Sequence, residues 1–205
     1  MTVQHKDIPN DGLHEPKGAS TASIGQMYIS DGAGSGSWAN SLANPDDIKV
    51  ERLLDAISLA TSQEPTGLDA PLQIELGAAQ FTAADPVSLA ADGTVTFNQA
   101  GTYRVKVSLA IGRSGGAGVS SIYARAVVNG VQAGQSIHFK IGSADSYQAF
   151  TDEAWLTLPA GVQIYYEIMR DSSGNNSGGA FQGMPTPVDW NDNPSAALRV
   201  ERWSA

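Results

Sequence analysis

Apolar and polar positions along this chain fall into two regimes. From Leu72 onward, short stretches with period-two alternation follow one another: LQIEL, TVTFN, TYRVKVSLAI, SSIYARAVVNGV, QSIHFKI, SYQAFTDEAWLTLP, VQIYYEIMR and ALRVERW. Turn-forming clusters such as ADG, GRSGGAG, NG, LPAG and DSSGNNSGG separate them. About eight to ten strands at such spacing predict a mainly β chain whose C-terminal domain, residues 72–205, is an antiparallel sandwich, jelly roll or barrel. Within TYRVKVSLAI, Tyr103, Val105, Val107, Leu109 and Ile111 share one face, and Arg104, Lys106 and Ser108 the other, the signature of a half-buried strand.

Other strands are apolar on both faces. Tyr123 opposes the Ile122–Ala124–Ala126 set, Trp155 opposes Leu156 and Leu158, and Tyr165 opposes Val162, Ile164 and Ile168. Aromatics on the off-core face suit a subunit interface; isolated exposed aromatics are the simpler alternative.

Residues 1–44 behave differently. Gly, Ser, Pro, Asn and Asp punctuate them throughout, and the single apolar stretch, IGQMYIS (Ile24 to Ser30), reads as one strand in need of a partner. NPDDIKVERLLDAISLATSQ follows. Asn44 suits an N-cap, Pro45 the first helical position, and Asp46 and Asp47 the positive end of a helix dipole. Val50, Leu54, Ile57 and Thr61 recur at spacings of four, three and four, which predicts a helix over 45–63. Its stripe would pack on the same helix of another subunit or on the chain's own β-domain. Residues 64–71, EPTGLDAP, read as a linker.

Composition narrows the function. With 22 Gly among 205 residues, 41% hydrophobic and 16% charged residues, the chain suits turn-rich β-structure. A formal net charge of −9 with scattered Lys and Arg argues against nucleic-acid binding. The absence of cysteine excludes disulfides, thiolate metal sites and cysteine nucleophiles. No apolar run approaches the roughly 20 residues of a membrane helix, and no signal-peptide pattern opens the chain, so neither membrane insertion nor Sec-type export is expected.

Candidate chemistry is sparse. His5 and His14 lie in the loop-like N-terminal section and His138 lies mid-strand, so no pair has metal-ligand spacing. Asp171 to Gly179 and Val188 to Pro194 are rich in oxygen side chains, but neither matches a regular Ca²⁺ loop, and such residues also serve turns. GAGSGS lacks the Lys-Ser/Thr ending of a phosphate loop. No catalytic residue, metal or cofactor is expected, and the chain reads as a non-enzyme.

Two resemblances add to this. FNQAGTYRVKVSLAI, LTLPAGVQIYYEI and ALRVERW resemble the tumour-necrosis-factor-like and complement-head-like jelly roll, through Phe97, Gly101 and Tyr103 and then Leu158 and Gly161. That likeness covers residues 72–205 and implies a homotrimer. HEPKGASTASIGQMYISDGAGSGSW, from His14 to Trp38, resembles a segment of tailed-bacteriophage virion proteins: head fibres, capsid decorations or tail-associated fibres.

The second resemblance implies an anchor at residues 1–44, a trimeric helical neck and an outward-projecting head, localised to the virion after assembly in the host cytoplasm. Anchoring to a major capsid or other virion protein falls to Leu13, His14, Glu15, Pro16, Lys17, Ile24, Met27, Tyr28 and Ile29. Trimer contacts fall to Val50, Leu54 and Ile57 in the neck and to Tyr123, Trp155 and Tyr165 in the head. The alternative is a module that binds a host-surface glycan or protein through Asp171, Asn175, Asn176, Asp189, Trp190 and Asp192. A depolymerase ranks third, since it would need paired carboxylates in a cleft.

Overall fold

A computed structural model of the chain describes residues 23, 26–30, 36–40, 49–58, 62–82, 85–113, 115, 117–142, 147–175, 177–180 and 194–204. The chain divides into two compact units, one running to Ile48 and the other from Lys49 to Ser204.

In the first unit, β1 (Gln26–Ser30) pairs antiparallel with β2 (Gly36–Asn40), Gln26 standing opposite Asn40 and Ser30 opposite Gly36. The strand expected to await an external partner therefore has one within the chain, and the GSWAN stretch supplies it. Tyr28 stands opposite Trp38 with the rings edge to face, centroids 5.5 Å apart, an aromatic cross-strand pair of the kind that fixes hairpin register. Alternation places Met27 and Ile29 on the opposite face, and both are exposed. Leu13, His14, Glu15, Pro16, Lys17 and Ile24 lie outside the described residues.

The second unit contains twelve strands among its described residues: β3 (Lys49–Ile57), β4 (Leu72–Gln73), β5 (Ala79–Thr82), β6 (Val87–Leu89), β7 (Val95–Phe97), β8 (Gly101–Gly112), β9 (Ser120–Val128), β10 (Val131–Ile141), β11 (Tyr147–Leu158), β12 (Val162–Arg170), β13 (Gly179–Ala180) and β14 (Ala196–Ser204). One sheet has the order β11-β8-β14-β3-β5 with β13 beside β8; the other has the order β10-β9-β12-β7-β6 with β4 beside β12. Every strand pair is antiparallel. The chain passes repeatedly from one sheet to the other, which is the jelly roll.

The expected helix over 45–63 is corrected. Its described part, Lys49–Ile57, is a strand held between β14 and β5, and no helix occurs among the described residues. A bulge is the reason the alternation was obscured. Val200 of β14 faces Leu54, the next residue Glu201 faces Arg52, and Leu53 is left as the extra residue. Val50, Arg52, Asp55 and Ile57 consequently share the outer face, while Leu53, Leu54 and Ala56 are buried. Because the bulge lets the adjacent Leu53 and Leu54 both be buried, the apolar residues Val50, Leu53, Leu54 and Ile57 fall at i, i+3, i+4 and i+7 and imitate a helical stripe. The head thus begins at Lys49 rather than Leu72.

The presumed linker is tied into the same unit. Gln63 bridges to Ala180, Leu68 bridges to Arg170, and the Gln63 side chain exchanges hydrogen bonds with the Glu75 backbone at 2.7 and 3.0 Å.

The core lies between the sheets, around Leu54, Phe97, Tyr103, Val105, Ile111, Ile122, Ile141, Ile168 and Val200. The motif that carries the jelly-roll resemblance has a packing role. Phe97 and Tyr103 are fully buried, meet edge to face at 4.7 Å, and the Tyr103 hydroxyl donates to the Gln99 carbonyl at 2.7 Å. Arg202 lies so close to Gly101 that a Cβ there would stand 2.9 Å from its Nε. Gly161, at φ +86°, adopts a left-handed conformation suited to glycine, and its N–H donates to the Phe97 carbonyl at 2.7 Å. The two halves of the motif, joined by this bond between Phe97 and Gly161, therefore meet at one corner of the sandwich.

Candidate interaction surfaces

On the outer face of the β11-β8-β14-β3-β5 sheet, strand register builds rungs of side chains. One rung carries Val50, Trp203, Thr102 and Thr157; the next carries Arg52, Glu201, Arg104 and Trp155; the third carries Asp55, Arg199, Lys106 and Glu153. Trp155 and Trp203 meet diagonally, centroids 4.7 Å apart and planes at 65°. Each is 45% exposed, and Val50 at the end of its rung is 52% exposed. Adjacent apolar side chains left this open on a sheet make this face a candidate interaction surface.

Charge surrounds the indoles. The Arg104 guanidinium binds both carboxylate oxygens of Glu153 at 2.8 Å, reaches Glu201 at 3.1 Å, and lies 5.6 Å from the Trp155 ring centre. The hydrogen bonds from Arg104 hold the Glu153 carboxyl below its usual pKa. Asp55 accepts from Arg199 at 2.8 Å and pairs with Arg52. Positive and negative groups thus alternate in a belt across the middle of the face.

The outer face of the other sheet is built differently. Tyr123, Arg125 and Val127 project from β9, and Tyr165, Glu167 and Met169 stand opposite them on β12. The Tyr123 ring stacks on His138, centroids 4.4 Å apart and planes at 6°, and the His138 Nε2 shares a hydrogen bond with the buried Ser121 hydroxyl. Arg125 donates to Glu167 at 2.7 Å through Nε and to Gln132 at 3.3 Å through Nη1. Between the sheets, burial pushes the Tyr166 phenol well above its usual pKa, with Asp152 adding to the effect.

The six residues expected at the trimer contact are thus dispersed. Leu54 is fully buried inside the chain and presents nothing to a second copy, which corrects its assignment. Val50, Ile57 and Trp155 share one outer face; Tyr123 and Tyr165 lie on the outer face of the opposite sheet. Trp203, overlooked in the sequence, alternates with the inward-facing Leu198 and Val200, so parity along ALRVERW identifies it as an off-core aromatic.

Among the expected recognition residues, Asp171 caps its own turn. It accepts hydrogen bonds from the Ser172 and Ser173 side chains and the Ser173 backbone, and those from Ser173 chiefly hold its carboxyl below the usual pKa. Asn175 binds the Ala117 carbonyl. Asn176, Asp189, Trp190 and Asp192 lie outside the described residues. Among the described residues no group of three or more His, Cys, Asp or Glu is placed to hold a metal ion.

No family model matches the chain, and no curated protein matches it. Solved structures similar to it include the globular domain of zebrafish complement 1qA protein, at 14% identity and a TM-score of 0.41, covering 73% of this chain and 95% of that one. Murine APRIL is similar at 11% identity and a TM-score of 0.43, covering 74% of this chain and 98% of that one.

Proposed function

We propose that the chain is a structural, non-enzymatic component of a bacteriophage virion: a homotrimeric fibre or decoration protein, attached through its N-terminal segment, whose jelly-roll head projects outward. The observation that carries the trimer is the exposed Trp155–Trp203 pair with Val50 beside the charged belt of this sheet face, to which Phe81 of β5 adds a further exposed apolar side chain. Each indole leaves about 100 Å² in water, so covering it in an assembly would contribute about 2.5 kcal/mol per side chain. Exposed ion pairs contribute far less, so the tryptophans supply affinity while the charged belt sets register. Three copies around an axis close a ring without leaving unpaired contacts.

The hairpin supports the anchor. A two-stranded hairpin is marginal alone in water, and the exposed Met27 and Ile29 give it an apolar face that a coat protein would cover. Three tethers on one trimer raise attachment through effective concentration. The test joins solution mass to incorporation. The full chain should sediment as three copies, and deletion of residues 1–40 should leave a trimeric head that no longer enters particles; a monomer, or normal incorporation of the deletion, defeats the respective half.

A further inference from the structure

The outer face of the β10-β9-β12 sheet contains a slot that the proposed assembly does not use. Its cause is a bulge in the edge strand β10. Ala133 pairs with Ala126 and Ile137 with Ala124, so Gly134, Gln135 and Ser136 stand against the single residue Arg125. Bulges re-aim side chains and recur beside binding sites. Beside this bulge lies a cavity of about 330 Å³ whose lining includes Gln132 and Ser136. That volume lies at the lower limit for a small-molecule site.

Alternation gives the slot two unlike walls. Ala124 and Ile168 point into the core, so the backbone between their neighbours forms the floor. Tyr123 and Met169, directly opposite each other, form an apolar wall. Arg125 and Glu167, the next outward pair, form a charged one. Successive outward pairs stand about 7 Å apart along a strand, the thickness of one ring between two contact surfaces. The walls are held in place: Ser121 fixes His138, His138 stacks on Tyr123, and Arg125 is clamped by Glu167 and Gln132.

Polarity selects the ligand. Glu167 engages Arg125 through Oε2 alone, leaving Oε1 without a protein donor among the described residues. Ser136 and Gln132 add a hydroxyl and an amide at the rim. The charge of Arg125 is answered by Glu167, Asp171 adds a further carboxylate to the lining, and the whole chain carries −9, so an anion is disfavoured. A ring with one C–H face and hydroxyls on its edge meets both walls at once. We propose that this slot binds a neutral pyranose, its C–H face against Tyr123 and Met169 and its hydroxyls on Glu167, Arg125 and the β10 bulge. The slot lies on the sheet opposite the tryptophan face, so the proposal stands whether or not the chain is trimeric.

Titration of the ¹⁵N-labelled full chain with methyl glycosides of glucose, galactose, mannose and N-acetylglucosamine tests it. At least one should give saturable shifts at β9, β10 and β12 in the millimolar range. Glu167→Gln and Tyr123→Leu should each weaken that binding by about tenfold or more, with the remaining spectrum unchanged as evidence of folding. Deletion of Gln135 and Ser136, which restores continuous pairing, should abolish it. Free reducing sugars run in parallel separate a small-molecule ligand from the end of a glycan chain. No saturable binding by any pyranose, binding that survives Glu167→Gln, or preference for methylammonium over the glycosides overturns the proposal.

Discussion

The two outer faces of the sandwich arise from the same strand alternation and present opposite chemistry. Through β11, β8 and β14, uninterrupted ladders lay long side chains side by side, and the tryptophans stand proud of a charged belt. On the β10-β9-β12 sheet the aromatics are engaged within the face, Tyr123 on His138, and Val127 is buried although it points away from the inter-sheet core. The difference separates two ways for a sheet to meet a partner. A flat face with protruding indoles suits a large, complementary protein surface, whereas a face interrupted by a bulge suits a small molecule.

The largest expected effect breaks the first face. Trp155→Glu combined with Trp203→Glu should convert the proposed trimer to monomer at about 10 μM, because it removes roughly 5 kcal/mol of apolar burial per protomer and buries charge in its place. Tyr123→Glu with Tyr165→Glu should leave three chains together. Sedimentation equilibrium reads both, and the reverse pattern would assign assembly to the wrong sheet.

A smaller effect separates the inside of β3 from its outside. In the monomeric tryptophan variant, Leu54→Ala should cost about 2–5 kcal/mol as a core truncation, seen as a lowered urea midpoint. Ile57→Ala, on the outer side of the same strand, should cost less than about 1 kcal/mol. Equal costs would contradict the bulge that sets their orientations.

Acid distinguishes the faces least. Glu153 and Asp171 both have lowered pKa values in the fold, Glu153 through Arg104 and Asp171 through Ser173. Their stabilising contributions are therefore complete above the ordinary carboxylate values and are lost as pH falls through the lowered ones. Urea midpoints between pH 7 and pH 3 should drop slightly less in Glu153→Gln and in Asp171→Asn than in the parent chain. A larger drop in either variant would reverse the sign assigned here.

Much of the fold was legible because its strands obey local rules. β8 announces itself by unbroken alternation from Tyr103 to Ile111, and the turn residues at Asn129–Gly130 and Gly161 fall where the chain reverses. β3 was not legible. Its residues are good helix formers, and the bulge at Leu53 replaces a period of two by a pattern that satisfies a helix equally well. Only the pairing with β14, from more than a hundred residues away, decides the matter.

The interaction surfaces divide in the same way. Trp155 and Trp203 can each be recognised as off-core from parity alone, but their contact depends on the three-strand register through β8. The slot was hidden more deeply. Gly134 in QAGQS is the one local sign of the bulge, at φ +68°, and the walls join residues of β9 and β12 more than 40 positions apart.

The interrupted strand β10 has a further consequence wherever copies of the chain are crowded together. It lies at the edge of its sheet, as β11 does at the edge of the other, and a long straight edge offers unpaired N–H and C=O groups to any strand that drifts alongside. The stretch from Gly134 to Ser136, with two residues more than the single Arg125 it faces, breaks that template midway, so two copies brought close together cannot zip along β10. β11 pairs with β8 through twelve consecutive residues without interruption, which makes it the edge whose coverage decides whether crowded heads remain separate or polymerise.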